Sequence, residues 1–226
     1  MKSWFQPARA GWNPDFFEGY FRTPLGAAIR AKEEKAVYGF LGVVMEPNHT
    51  VLELGPGTGN YTVPLAQRCA EVVAIDSSPE MLRYLRGRLL REGLANVETR
   101  LGELPEELET PGKKFDGVLA IGVLNYVRDI ELSLPAFASA LVPGGWAVFN
   151  VPLPTVEGRI YALAEFAGRR RIYLHDPKEI LDLIEKAGMR AQMMVPTGLT
   201  RGGLTLMVGA RVPAQAFART TKFNPS

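Results

Sequence analysis

Along residues 50–211, short apolar runs alternate with stretches whose apolar residues return every three or four positions. The runs fall at 50–54, 72–75, 96–101, 117–121, 146–151, 191–195 and 204–210. Most show little of the one-in-two polar alternation of a half-solvated strand, so they read as strands of a sheet covered on both faces. The three-to-four periodicity predicts helices at 60–70, 79–92, 129–141 and 177–187, and another at about 26–45 ahead of the first strand. Strand–helix alternation at this spacing builds parallel βαβ units with right-handed crossovers. The expected fold class is therefore α/β, doubly wound.

Several boundaries carry their own chemistry. Asp176-Pro177-Lys178-Glu179 has the form of a capping box with proline at the first helical position, and Gly188 supplies a stop. Pro143-Gly144-Gly145 is expected to be a turn that ends one helix and launches the next strand. Two stretches break the regularity. Residues 1–24 hold Trp4, Phe5, Trp12, Phe16, Phe17, Tyr20 and Phe21, aromatics dense enough to need burial against a core or over a ligand. Residues 152–176 are bracketed by prolines, contain Arg169, Arg170 and Arg171, and are taken as an insertion.

Composition narrows the class without naming it. With 226 residues, 46% hydrophobic and 22% charged, the chain can bury a sizeable core, which excludes a disordered or disulfide-stapled protein. The expected organisation is a single domain over 1–226, with an aromatic N-terminal lid and leading helix at 1–48 and a cap over the substrate pocket at 152–176. The formal net charge of +2 is no argument for nucleic acid or an anionic membrane. Cys69 is the only cysteine, so no internal disulfide can form, and two separated histidines give no metal-ligand spacing. No run is long enough to span a bilayer, and the polar start lacks the apolar core of a secretory signal, so the expected location is cytoplasmic.

The chemistry is expected at the end of the first strand. Glu53-Leu54-Gly55-Pro56-Gly57-Thr58-Gly59-Asn60 leads from strand to helix. Alternate glycines let the backbone take positive φ and approach a ligand closely, and open α/β sheets bind ligands at this edge. Neither phosphate-loop pattern fits: the dinucleotide fingerprint would need a small residue where Asn60 stands, and no lysine follows for a P-loop.

This Glu-x-Gly-x-Gly-x-Gly segment resembles motif I of the class I S-adenosylmethionine-dependent methyltransferases, and further segments resemble the family in order. They are 72–82 with Asp76 and Met81-Leu82, Gly102-Glu103-Leu104-Pro105, 115–129, and Leu141-Val142-Pro143-Gly144-Gly145. Residues 20–26 are similar to the lead-in of the UbiE-like small-molecule branch. The resemblance implies a Rossmann-like, seven-stranded, mostly parallel sheet with helices on both faces and the last strand antiparallel. It implies S-adenosylmethionine as methyl donor, S-adenosylhomocysteine as product, no metal, and a small-molecule acceptor.

Carried over residue by residue, the resemblance makes Gly55, Gly57, Thr58 and Gly59 the donor loop. Asp76, with Ser77 and Met81 beside it, would accept the ribose hydroxyls or else cap the following helix. Glu53 would anchor the methionine ammonium or brace the loop. Gly102, Glu103 and Leu104 would meet the adenine, although the family more often has Asp at 103. Ile121 and Gly122 would pass along the donor, and Asn60 would cap a helix. Methyl transfer is an in-line displacement at an activated sulfonium, so orientation supplies much of the rate and a general base is optional. Tyr20, Tyr126 and His175 are the candidates at the acceptor. An RNA methyltransferase, an aminopropyltransferase and a non-catalytic binding subunit are rival readings; the oligomer is expected to be a monomer or homodimer.

Overall fold

A computed structural model describes residues 13–102, 113–168 and 170–214. Two helices, α1 (Pro14–Arg22) and α2 (Pro24–Val44), precede β1 (Thr50–Leu54), α3 (Thr62–Ala66), β2 (Glu71–Asp76), α4 (Pro79–Glu92) and β3 (Val97–Leu101). Then come β4 (Phe115–Ala120), a 3₁₀ turn (Leu124–Tyr126), α5 (Ile130–Ala140) and β5 (Leu141–Pro152). The chain continues through α6 (Val156–Ala167), α7 (Pro177–Lys186), β6 (Arg190–Thr197) and β7 (Thr205–Arg211).

The strands form one sheet in the order β3-β2-β1-β4-β5-β7-β6. All neighbours are parallel except β7, which runs antiparallel to both β5 and β6. This is the Rossmann-like order with an antiparallel last strand. Strand order reverses at β1 and β4, where their carboxyl ends diverge and a crevice opens.

The two-residue period of β1 divides the core. Leu52 and Leu54 face α5 and α7 through Leu134, Phe137, Ile180 and Ile184. Val51 faces the other way, with Trp146 of β5, Phe40 and Leu41 of α2, and Leu85 of α4. Both faces being covered accounts for the apolar runs. Caps set the helix starts: Ser78 Oγ accepts from Met81 N at 3.2 Å for α4, and Asp176 Oδ1 accepts from Lys178 N at 2.8 Å for α7.

Two local expectations are corrected, and a third stretch gains a structure. The helix after the glycine loop shrinks from 60–70 to five residues, Thr62–Ala66, because 57–61 form turns before it and 67–70 turns and bends after it. The Pro143-Gly144-Gly145 segment lies inside β5 as a bulge: the pairing with β4 jumps from Phe115–Leu141 to Gly117–Trp146. Gly144 N and Gly145 O also stay bonded to Val212, so the ladder never opens into a free turn. About half of the 152–176 stretch is the helix α6, capped by Thr155 Oγ1 accepting from Gly158 N at 3.1 Å.

Candidate active site

Above the crevice lies a cavity of about 440 Å³. Its floor is Leu54 and Ile75 at the strand ends, and its roof is α1 and α6, through Phe16, Phe17 and Tyr20 on one side and Tyr161, Ala164 and Glu165 on the other.

The glycine loop forms one end. Gly55 has φ 63° and its N–H donates to Ile75 O at 2.8 Å, which stitches β1 to β2 where the chain turns. A Cβ there would sit 2.5 Å from Val123 Cγ2, so glycine is required by conformation and by space alike. Gly57 has φ 55°, and a Cβ on it would meet only Phe17 Cε1, at 3.9 Å: its open side is the cavity. Gly59 packs toward Leu85 and does not line the cavity, nor does the buried Thr58.

Asp76 ends β2 at the cavity wall and is 9% exposed. Its Oδ2 accepts from Gly57 N at 3.1 Å and its Oδ1 from Ser78 N at 2.8 Å. Ser78, not Asp76, caps α4, so helix capping does not explain this carboxylate. Desolvation raises its pKa, against the backbone N–H groups of Ser78, Gly57 and Ser77. Ser77, Met81, Gly102, Ile121 and Gly122 line the same wall. Glu103 and Leu104 lie outside the described residues.

Glu53 stands behind the loop, 2% exposed, and does not line the cavity. Burial pushes its carboxyl up to about 8, with the Thr62 hydroxyl pulling the other way and the Asp76 charge adding to the rise. Its Oε2 is buried without a hydrogen-bond partner among the described residues. A buried acceptor left without a partner is costly, which is consistent with a raised carboxyl pKa behind the glycine loop.

Gly122, at φ 74°, is held from behind by Asn150, whose Oδ1 accepts its N–H at 2.7 Å. Asn150 is 2% exposed, and its Nδ2 donates to Glu33 Oε1 at 3.3 Å. Thr205 Oγ1 reaches the same oxygen at 3.3 Å. Asn150→Ala would strand the Gly122 N–H and one acceptor of Glu33. We expect it to unfold about 1–3 kcal/mol more easily and to bind S-adenosylhomocysteine several-fold more weakly, as thermal melts and a ligand titration would report. Unchanged melting and affinity would remove Asn150 from the site's framework.

The opposite end of the cavity is aromatic and hydrogen-bonded. Tyr126 OH donates to Glu165 Oε2 at 3.4 Å, Asn125 Nδ2 to Tyr161 OH at 3.3 Å, and Arg170 Nη1 lies 3.5 Å from Glu165 Oε2. Desolvation raises the Tyr126 phenol far above its ordinary value and pushes Tyr161 up to about 12. Both phenols are therefore protonated near neutrality, Tyr126 donating to Glu165 and Tyr161 accepting from Asn125. Tyr20 is also raised, by desolvation and then by Glu33 and Glu165.

His175 is placed elsewhere. It is 6% exposed beside α7, with Nδ1 3.9 Å from Glu179 Oε2, and it is not among the cavity's lining residues. Desolvation lowers its pKa, opposed by Glu179 and Glu131. Asn60 is not a helix cap either: Tyr61 precedes α3, and Asn60 instead links Glu18, Thr58 and Arg88.

That link ties the roof down. Glu18 of α1 accepts from Thr58 Oγ1 at 2.5 Å and from Asn60 Nδ2 at 3.1 Å. No residue of α1 is fully buried, so its aromatics cover the cavity rather than enter a core. Glu18→Ala should loosen α1 from the loop by about 1–3 kcal/mol. Proteolysis between residues 14 and 23 should then run faster, with slowing on ligand addition in wild type. Equal cleavage rates would show that Glu18 does not hold α1.

Residues 51–145 match the protein family described as "Methyltransferase domain". The matched stretch, less than half of the chain, holds the glycine loop and Asp76. Over 132 residues the chain is 38% identical to the demethylmenaquinone methyltransferase of Tropheryma whipplei (strain Twist), covering 57% of this chain and 52% of that one. Over 147 residues it is 31% identical to the trans-aconitate 2-methyltransferase of Methylobacterium radiotolerans, covering 63% and 50%. The chain thus spans about half the length of these curated relatives. In fold it is similar to the magnesium protoporphyrin IX methyltransferase of Synechocystis PCC 6803 solved with bound S-adenosylhomocysteine, with a TM-score of 0.67, 20% identity, and 87% and 93% of the two chains covered.

Proposed function

We propose that this chain is an S-adenosylmethionine-dependent methyltransferase that transfers a methyl group to a small-molecule acceptor held under α1 and α6. The observation that carries the reading is one continuous cavity joining a glycine loop and carboxylate at one end to hydrogen-bonding aromatics at the other. Gly57 leaves room for a ligand to approach the backbone, while Gly55 makes room for Val123, and the Asp76 carboxylate suits a ribose diol. Glu53, behind the loop with its Oε2 unpartnered among the described residues, would reach the ammonium of the amino-acid moiety through a bridging water. Ser77, Met81, Gly102, Ile121 and Gly122 complete the donor wall. When bound, S-adenosylmethionine supplies an electrophilic methyl already activated as a sulfonium.

What the chain does is hold and orient. Tyr126, Asn125 and Tyr161 present polar groups that can fix an acceptor's heteroatom, while Phe16, Phe17, Ile121 and Ala164 exclude water and set its plane. Such positioning can supply roughly 7–11 kcal/mol of barrier lowering at best. The names of two relatives, a demethylmenaquinone methyltransferase and a trans-aconitate 2-methyltransferase, support a small molecule, while two other matched relatives bear ribosomal RNA methyltransferase names and keep RNA as the rival acceptor. Among the described residues no His, Cys, Asp or Glu cluster could hold a metal.

Incubation with methyl-labelled S-adenosylmethionine and a panel of small acceptors tests the reading. Label should appear in a small product. Labelled RNA in its place, or binding of S-adenosylhomocysteine with no turnover across the panel, would replace it.

A further inference from the structure

Helix α6 roofs the cavity with one face and shows an unusual other face to solvent. Val156, Ile160, Leu163 and Phe166 are 77%, 64%, 68% and 70% exposed. Their spacing of four, three and three residues puts them within about a third of the helix circumference. Tyr161 and Glu165 lie on the opposite side, toward the cavity. Four large apolar side chains exposed on one 12-residue helix are more than the scattered apolar residues of an ordinary surface. Leu199, 45% exposed, extends the stripe, because its loop is tied to α6 by Leu199 N and Thr200 N donating to the Glu157 carboxylate at 2.7 and 3.0 Å. Phe16, 73% exposed, lies across the cavity from Ala164 of α6.

The charges around the stripe are not balanced. Arg159 lies within the apolar arc and is exposed, and Arg171 follows the helix, also exposed, with Arg201 in the loop that Glu157 holds. The two acidic residues of α6 are engaged: Glu157 by that loop and Glu165 by Arg170 and Tyr126 on the cavity side. An apolar stripe with basic groups, whose long stems let the charge rise to the headgroup level, is the form of a helix that lies in a membrane interface. No described helix is long and apolar enough to cross a membrane, so this would be attachment at the surface.

We propose that α6 seats the mouth of the cavity on an anionic lipid surface. The acceptor class that follows is a lipophilic molecule drawn from the bilayer; that step rests on the methyl-transfer reading, whereas the docking does not.

Flotation of the full chain with vesicles separates these. With phosphatidylcholine containing one-third phosphatidylglycerol, the protein should float at low salt, and high salt should release it. Phosphatidylcholine alone should capture far less. Leu163→Glu/Phe166→Glu should stay at the bottom while keeping the wild-type melting temperature and its shift with S-adenosylhomocysteine. Arg159→Ala and Arg171→Ala should each weaken capture about fivefold. Wild-type protein that ignores both vesicles would overturn the proposal, as would equal flotation of the double Glu variant. Light scattering that shows a dimer lost in that variant, with no vesicle capture, would assign the stripe to a second copy of the chain. Absence of a ligand-induced shift in the wild type would count against the methyl-transfer reading alone.

Discussion

Asp76→Ala is expected to cut affinity for S-adenosylhomocysteine by roughly 10²–10⁴-fold. Two charge-assisted hydrogen bonds to a diol contribute about 1.5–3 kcal/mol each, and neither can form with alanine. The structure gives this residue a second task. By accepting from Gly57 N and Ser78 N, its carboxylate fixes the glycine loop to the start of α4 before any ligand arrives. Part of the loss is therefore loss of a preformed site, which shows as a lower melting temperature without ligand. Thermal unfolding separates the two parts. At a ligand concentration of about 100 times the wild-type Kd, the wild type should gain about 2.7 kcal/mol, and a variant bound a hundredfold more weakly only about 0.4 kcal/mol. NAD should shift neither protein. A variant that melts lower but keeps its full shift would make Asp76 a brace of the loop with no part in binding.

Asp76 was legible in the sequence because its position is dictated by backbone geometry. A strand that ends in a carboxylate after a parallel neighbour with a glycine turn can only place that group at the crevice. The same holds for Gly55, Gly57 and Gly122, whose positive φ values follow from turns at strand ends. The acceptor end was less legible. Tyr161 and Glu165 belong to α6, and the prolines and arginines of 152–176 hid a helix whose start, Thr155 before an apolar-periodic run, carries an ordinary cap signal. Their four-residue spacing, the mark of one helix face, was present once a helix was granted. Glu18, Glu33 and Asn150 had no local signal at all. Each acts through a partner 28 or more residues away in sequence, and only the fold brings those partners together. His175 shows the converse: a histidine next to a plausible cap looked available, yet packing against α7 keeps it from the cavity.

Glu53 couples the site to pH in a direction that can be worked out. Its carboxyl is held at about 8 in the folded protein against 4.5 when unfolded. Between those values the folded state keeps a proton that the unfolded chain has lost. Its contribution to stability is thus fully present below about pH 4.5 and is lost as pH rises toward 8, with a slope of roughly 1.4 kcal/mol per pH unit. Glu33, raised to about 7 chiefly by desolvation, adds a slope of the same sign over a narrower window. Glu53→Gln retains the shape, removes the first slope and leaves the second. Its melting temperature should exceed that of the wild type by more at pH 8 than at pH 5. A donor ammonium beside Glu53 would favour the ionised carboxylate, so binding S-adenosylhomocysteine near pH 7 should expel a proton in the wild type. Calorimetry in two buffers of different ionisation enthalpy reads that proton directly, and Glu53→Gln should release none from this site. Proton release that persists in the variant would move the ammonium away from Glu53, and a flat stability difference between pH 5 and 8 would show that the carboxyl is already ionised where it is buried.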